Sequence, residues 1–179
     1  TNALTLNGTG ISYGGALTNS SSTAGVYAGS VSLGSIASIG STSGGISITG
    51  AVSSNAYGLA LIGNKAITLS NTGNTLSTIA SGSSLGAITI VNNADLTIGS
   101  VIAGANTYTG LDSTGVISVK TTGDLTISQN VITTSNSATA SAPALLLAAG
   151  SSGAVGDVTY NIKLSGSPTF TVGTGGIAD

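Results

Sequence analysis

Along the chain, short phrases recur in which a hydrophobic residue, a Thr or Ser and a second hydrophobic residue follow one another. Alternation with a period of two marks a strand with one buried face. The clearest copies carry an Asp in front: Asp95-Leu96-Thr97-Ile98, Asp124-Leu125-Thr126-Ile127 and Asp157-Val158-Thr159-Tyr160. Residues 87–98 (AITIVNNADLTI) align without a gap on residues 116–127 (VISVKTTGDLTI) at an offset of 29, and each segment holds two phrases. Upstream, Ile46-Ser47-Ile48, Ile67-Thr68-Leu69 and Ile88-Thr89-Ile90 follow one another at an offset of 21. The repeat length varies while the phrase keeps its form. This is expected where strands must stack on those of the coils before and after, and solvent-facing turns are free to change length.

Strands are predicted over 3–6, 31–33, 36–39, 46–49, 59–62, 66–70, 87–91, 95–98, 116–120, 124–127, 158–164 and 169–172. Clusters such as Ser41-Thr42-Ser43-Gly44-Gly45 and Asn71-Thr72-Gly73-Asn74 supply turn chemistry between them. No window keeps a helical period. The phrases return at repeating intervals with uneven loops, not through tight two-residue hairpins, which favours same-direction stacking over an antiparallel sandwich. The expected fold is all-β, a parallel β-helix (β-solenoid) of roughly 20–30 residues per coil, forming one domain over 1–179. It would make about six to nine coils, a body about 30–43 Å long at ~4.8 Å per coil. Residues 135–143, ending at Pro143, are a candidate loop excursion from the stack.

Composition narrows what such a stack can do. Charged residues make up 4% of the chain, against about 25% in ordinary soluble domains. There is no Arg and no His; the cations are Lys65, Lys120 and Lys163, the anions Asp95, Asp112, Asp124, Asp157 and Asp179, and the net charge is -2. Three separated lysines cannot build a phosphate-binding surface, so neither nucleic acid nor an anionic membrane is expected as a partner. A mean hydropathy of +0.48 argues for a folded chain, since disordered chains combine low hydrophobicity with high charge. With 5 Tyr, 1 Phe and no Trp or Met, the core is expected to be aliphatic and narrow. The absence of Cys excludes disulfides and thiolate metal sites. The longest apolar run, 144–149, is far shorter than the ~20 residues of a membrane-spanning helix, so no membrane insertion is expected. No signal peptide precedes Thr1, so an exported protein would have this residue downstream of a leader.

Candidate chemistry is sparse. Asp95, Asp124 and Asp157 hold equivalent repeat positions, and in register they would form a carboxylate ladder offering oxygens to Ca²⁺, which takes six to eight. Alternatively, each accepts turn N–H bonds at the start of its strand, and the Gly-and-Asp nonapeptide of calcium-binding β-rolls is missing. A carbohydrate-active β-helix enzyme would need clustered carboxylates; only Asp112 and Asp124 could converge across one coil, and a nucleophilic Ser would have only Lys120 as base. No enzyme is expected, and no catalytic residue or cofactor is assigned. An ice-binding solenoid would present ranks of outward Thr; Thr68, Thr89, Thr97 and Thr126 hold mid-phrase positions, but Ser47 and Ser118 interrupt them. Asn7-Gly8-Thr9 and Asn19-Ser20-Ser21 are glycosylation sequons, and Tyr27, Tyr57 and Tyr108 would make a sugar platform only on a shared face.

Residues 15–50 (GALTNSSSTAGVYAGSVSLGSIASIGSTSGGISITG) resemble the passenger repeats of bacterial autotransporters and filamentous-haemagglutinin-type adhesins. The segment GANTYTG at 104–110 resembles the recurrent Asn-Thr-Tyr-Thr/Ser-Gly turn of the same family. The resemblance covers the first two-thirds of the chain, and the pattern is lost after Ala140. It implies a right-handed parallel β-helix displayed on, or released from, a Gram-negative surface as stalk, adhesin or fibre. A strand begins almost at residue 1, and neither end carries a charged cap. The chain is therefore expected to be a segment of a longer extracellular protein or a stackable fibre subunit. Its expected partner is a further copy, head-to-tail or lateral, with a host-surface or glycan receptor as a second class.

Overall fold

Alternating aliphatic and hydroxyl residues give strands whose Ile, Val and Leu point to one side and whose Ser and Thr point to the other. The computed structural model describes residues 2–82, 84–139, 142–150 and 160–179. Over these residues the chain is all-β, and a 3-10 turn at Ile11–Tyr13 is the only helical element among them.

Three sheets consist of parallel pairings alone. The first runs Leu4–Gly8, Val31–Ser41, Gly58–Gly63, Thr78–Ser81, Leu96–Ile98, Leu125–Ile127, Ile162–Leu164, with Leu17–Asn19 and Val52–Ser53 also paired to the long strand Val31–Ser41. The second runs Gly25–Tyr27, Ile46–Ile48, Ile67–Leu69, Ile88–Asn92, Ile117–Thr121, Leu145–Ala148. The third holds Leu111–Ser113, Val131–Thr133 and Phe170–Thr171.

The sequence offsets are the sheet registers. Ile46 faces Ile67 and Ile67 faces Ile88, each 21 residues on, and then Ile88 faces Ile117 and Leu96 faces Leu125, each 29 residues on. At the last rung the spacing stretches, and Leu125 faces Ile162. Strand 158–164 is therefore shorter than expected where it is described, Ile162–Leu164, and residues 158 and 159 lie outside the described residues.

Registered strands place like side chains in columns. In the first sheet Ala37, Leu59, Ile79, Ile98 and Ile127 succeed one another, each 0% exposed. In the second, Ile67, Ile88 and Ile117 do the same. These columns meet in one aliphatic core. Where strands end, buried polar side chains replace the aliphatics and tie down turn carbonyls. Asn92 and Thr121 face each other, and both donate to the Ala94 carbonyl. Ser113 and Thr133 likewise face each other and both donate to the Gly115 carbonyl. Asn74 is fully buried: its Oδ1 accepts the Val52 N–H at 2.7 Å, and its Nδ2 donates to the Leu69 and Val91 carbonyls at 3.0 and 2.9 Å. These bonds satisfy backbone groups that the ladders leave over at the corners.

Two antiparallel pairs depart from same-direction stacking. Ser100–Ala103 and Asn106–Thr109 form a hairpin in which Val101 faces Tyr108. Gly104, at φ +67, opens its two-residue turn. GANTYTG is therefore half strand, not a turn alone. The hairpin lies against the outward side of the first sheet, where Val101 and Ala103 pack on Ala60, Ile62 and Ala80 in a second small core partly covered by Tyr108. The other antiparallel pair, Ala138–Thr139 with Ala142–Pro143, lies within 135–143.

Candidate functional site

The Asp phrase places its carboxylate at the turn leading into a strand of the first sheet. Asp95 Oδ1 accepts the N–H of Asp124 at 2.9 Å, and Asp124 Oδ1 accepts the N–H of Asn161 at 2.8 Å. The pairing of Leu125 with Ile162 thus puts Asn161 at the next rung. Asp157, the third member of the expected ladder, lies outside the described residues. The turn needs glycine at position 123, where a Cβ would lie 2.3 Å from Asp95 Oδ1. Asp124 Oδ2 pairs with Lys163, whose side chain is 56% exposed. The Lys163 ammonium and the Asn161 N–H hold the Asp124 carboxyl below the ordinary carboxylate range, and the same carboxylate raises Lys163. Among the described residues no cluster of three or more His, Cys, Asp or Glu side chains is placed to hold a metal. Asp95 and Asp124 each spend one carboxylate oxygen on the backbone of the rung after them.

The other candidates are distributed over separate elements. Asp112 lies on Leu111–Ser113 of the third sheet, and Asp124 precedes Leu125–Ile127 of the first. Lys120 is exposed on the second sheet, opposite Val91. Thr68 faces Thr89 in the second sheet, and Thr89 faces Ser118; Thr97 faces Thr126 in the first sheet, and Lys163 follows. The four threonines thus form two short ranks on different sheets. Tyr27 donates to the Asn2 carbonyl at 2.6 Å, Tyr57 precedes Gly58–Gly63, and Tyr108 sits on the hairpin. Asn19 uses its Nδ2 on the Thr23 and Gly45 carbonyls at 2.9 and 2.8 Å, so its sequon is built into a turn, whereas Asn7 is exposed.

Two surface features were not evident from the phrases. The first is an open cleft of about 480 Å³ between the hairpin and the neighbouring loop, lined by Ser81, Gly82, Asn106, Tyr108, Thr109 and Asp112. It brings Tyr108 of the hairpin and Asp112 of the third sheet to one surface with Ser81 and Gly82, because the hairpin folds back onto the first sheet. The second is an apolar cavity of about 430 Å³ at the last rung, between Ile127, Leu145, Leu147, Ile162, Leu164 and Phe170. Core columns that are 0% exposed at Ile127, Leu125 and Val131 continue into Leu164, Ile162 and Phe170 at 59%, 46% and 42%. The final rung thus presents core side chains to solvent.

No family model matches the chain, and neither the curated proteins nor the solved structures contain a significant match.

Proposed function

We propose that the chain is a structural and interaction protein: a right-handed β-solenoid serving as the shaft of an exported bacterial surface adhesin or as the subunit of an extracellular filament, with no catalytic role. The observation that carries this reading is the uncovered last rung. Burying an aliphatic side chain contributes about 1.5–3 kcal/mol, so three columns ending in solvent favour a further rung laid on top. Among the described residues the first sheet ends at Leu4–Gly8 on one side and at Ile162–Leu164 on the other, whereas in the second sheet Gly25–Tyr27 is an end strand and Leu145–Ala148 is bonded along its outer side by residues 177–179. Leu4-Thr5-Leu6 repeats the pattern of Ile162-Lys163-Leu164, so one end of a second copy offers a strand of the right alternation to the other end of the first. Such contacts are head-to-tail and propagate, and a chain with 4% charged residues puts little repulsion in their way. The resemblance of residues 15–50 and 104–110 to adhesin repeats points to the same extracellular setting.

Sedimentation velocity over rising concentration tests the filament form. Growing species are expected for the wild type, with loss of growth in Leu164→Glu, whose side chain is already exposed. A wild type that stays monomeric at every concentration contradicts the filament and leaves the shaft.

A further inference from the structure

We propose that the cleft enclosed by the hairpin, Ser81, Gly82 and Asp112 is a binding site for a neutral oligosaccharide. This goes beyond the proposed shaft or filament and does not depend on self-association.

The cleft has the groups such a ligand needs. A sugar presents paired hydroxyls on one side and C–H groups on the other, so its site combines an acceptor of two O–H bonds, further small polar groups and an aromatic wall. Asp112 supplies the carboxylate. Its position is fixed by two bonds: its N–H donates to Ser81 Oγ at 2.8 Å, and its Oδ1 accepts the Ser84 N–H at 3.3 Å. Tyr108 supplies the wall. Its ring is held half-buried by the second core, and its hydroxyl accepts from Asn106 Nδ2 at 3.4 Å. Asn106 and Thr109 add exposed polar groups on the same strand.

Gly82 keeps the cleft open. A Cβ there would meet the Tyr108 ring no closer than 3.8 Å, so the local backbone would accept a side chain, and any long one would occupy the space in front of the tyrosine.

The same chemistry argues against other ligands. A single carboxylate falls short of the six to eight oxygens of a calcium site. The cleft's lining includes no cation, so an anionic ligand would meet only Asp112. An apolar ligand would strand the Asp112 carboxylate and the Asn106 amide without water.

Saturation-transfer difference NMR with mannotriose, cellotriose and maltotriose, and with trigalacturonate as a charged comparator, tests the site on the full chain, and it works whether the protein is monomeric or assembled. Transfer to at least one neutral trisaccharide is expected, weaker for trigalacturonate. Asp112→Asn, which keeps an oxygen for Ser84, and Gly82→Gln, which fills the cleft, should each weaken binding by about tenfold or more. No transfer from any neutral sugar, stronger transfer from trigalacturonate, or undiminished binding in both variants would overturn the proposal.

Discussion

Asp95 Oδ1 accepts the backbone N–H of Asp124, a residue 29 positions later in the chain, at 2.9 Å. The bond joins one rung to the next, and its copy, from the Asn161 N–H to Asp124, joins that rung to the one after. Asp95→Ala should cost about 0.5–1.5 kcal/mol, the net worth of one hydrogen bond, as read by urea denaturation. If the carboxylates instead held calcium, millimolar calcium would raise the melting temperature of the wild type and not of this variant; equal behaviour of the two is expected.

The pair of Asp124 with Lys163 sets a pH dependence with two limbs. Asp124 is lowered by Lys163 and by the Asn161 N–H, so its contribution is present above the ordinary carboxylate range and is lost as pH falls through the lowered value. Lys163 is raised by Asp124, so its contribution is present below the ordinary lysine range and is lost as pH rises through the raised value. Both groups meet solvent, which keeps the effect small. Melting temperatures from acid to alkaline pH should show both limbs in the wild type; in Lys163→Met the alkaline limb should be lost and the acid limb reduced to the share of the Asn161 N–H, and an unchanged profile in that variant would exclude the pair as their source.

Asn74 ties three corners together from a fully buried position. In Asn74→Ala the Val52 N–H and the Leu69 and Val91 carbonyls lose their partner. The expected loss is about 3 kcal/mol or more, since each buried unsatisfied group costs about 1–3 kcal/mol. A loss under one kcal/mol in chemical denaturation would mean that water replaces the amide.

Ser38 presents the opposite case. It faces Ala60, which faces Ala80, on the outward side of the first sheet, and its buried hydroxyl has no hydrogen-bond partner among the described residues. Ser38→Ala continues the alanine column and removes an unsatisfied group, so it should raise stability by about 1 kcal/mol. Destabilisation would show that the hydroxyl is bonded in solution.

Much of the core could be read from the chain. Ile46, Ile67, Ile88 and Ile117 recur at the spacing that puts them face to face, because a parallel register is itself a sequence offset. What escaped the phrase lacked its alternation, as in Leu145–Ala148, which is apolar throughout. Thr78–Ser81 and Val131–Thr133 set two apolar residues side by side in place of the apolar–hydroxyl–apolar phrase, yet the ladders on both sides draw them into strands. The hairpin at 100–109 was hidden because its apolar residues cover the outside of a sheet, a surface the alternation marks as solvent-facing. Asn74 and Asn92 read as turn residues because their burial arises from neighbouring rungs, which a local window does not contain. The cleft was invisible for the same reason: Tyr108 and Gly82 come together only through the hairpin.

Dipolar broadening between paired nitroxide labels tests the same-direction, in-register stacking most directly, and a chain without native cysteine gives no background labelling. Thr68, Thr89 and Ser118 succeed one another in the second sheet and point away from the core. Labels at 68 and 89, and at 89 and 118, should broaden strongly, with backbones about 4.8 Å apart; labels at 68 and 118, two rungs apart at about 10 Å, should broaden less. Sharp spectra from both adjacent pairs, or stronger coupling between 68 and 118 than within either, would contradict the stack.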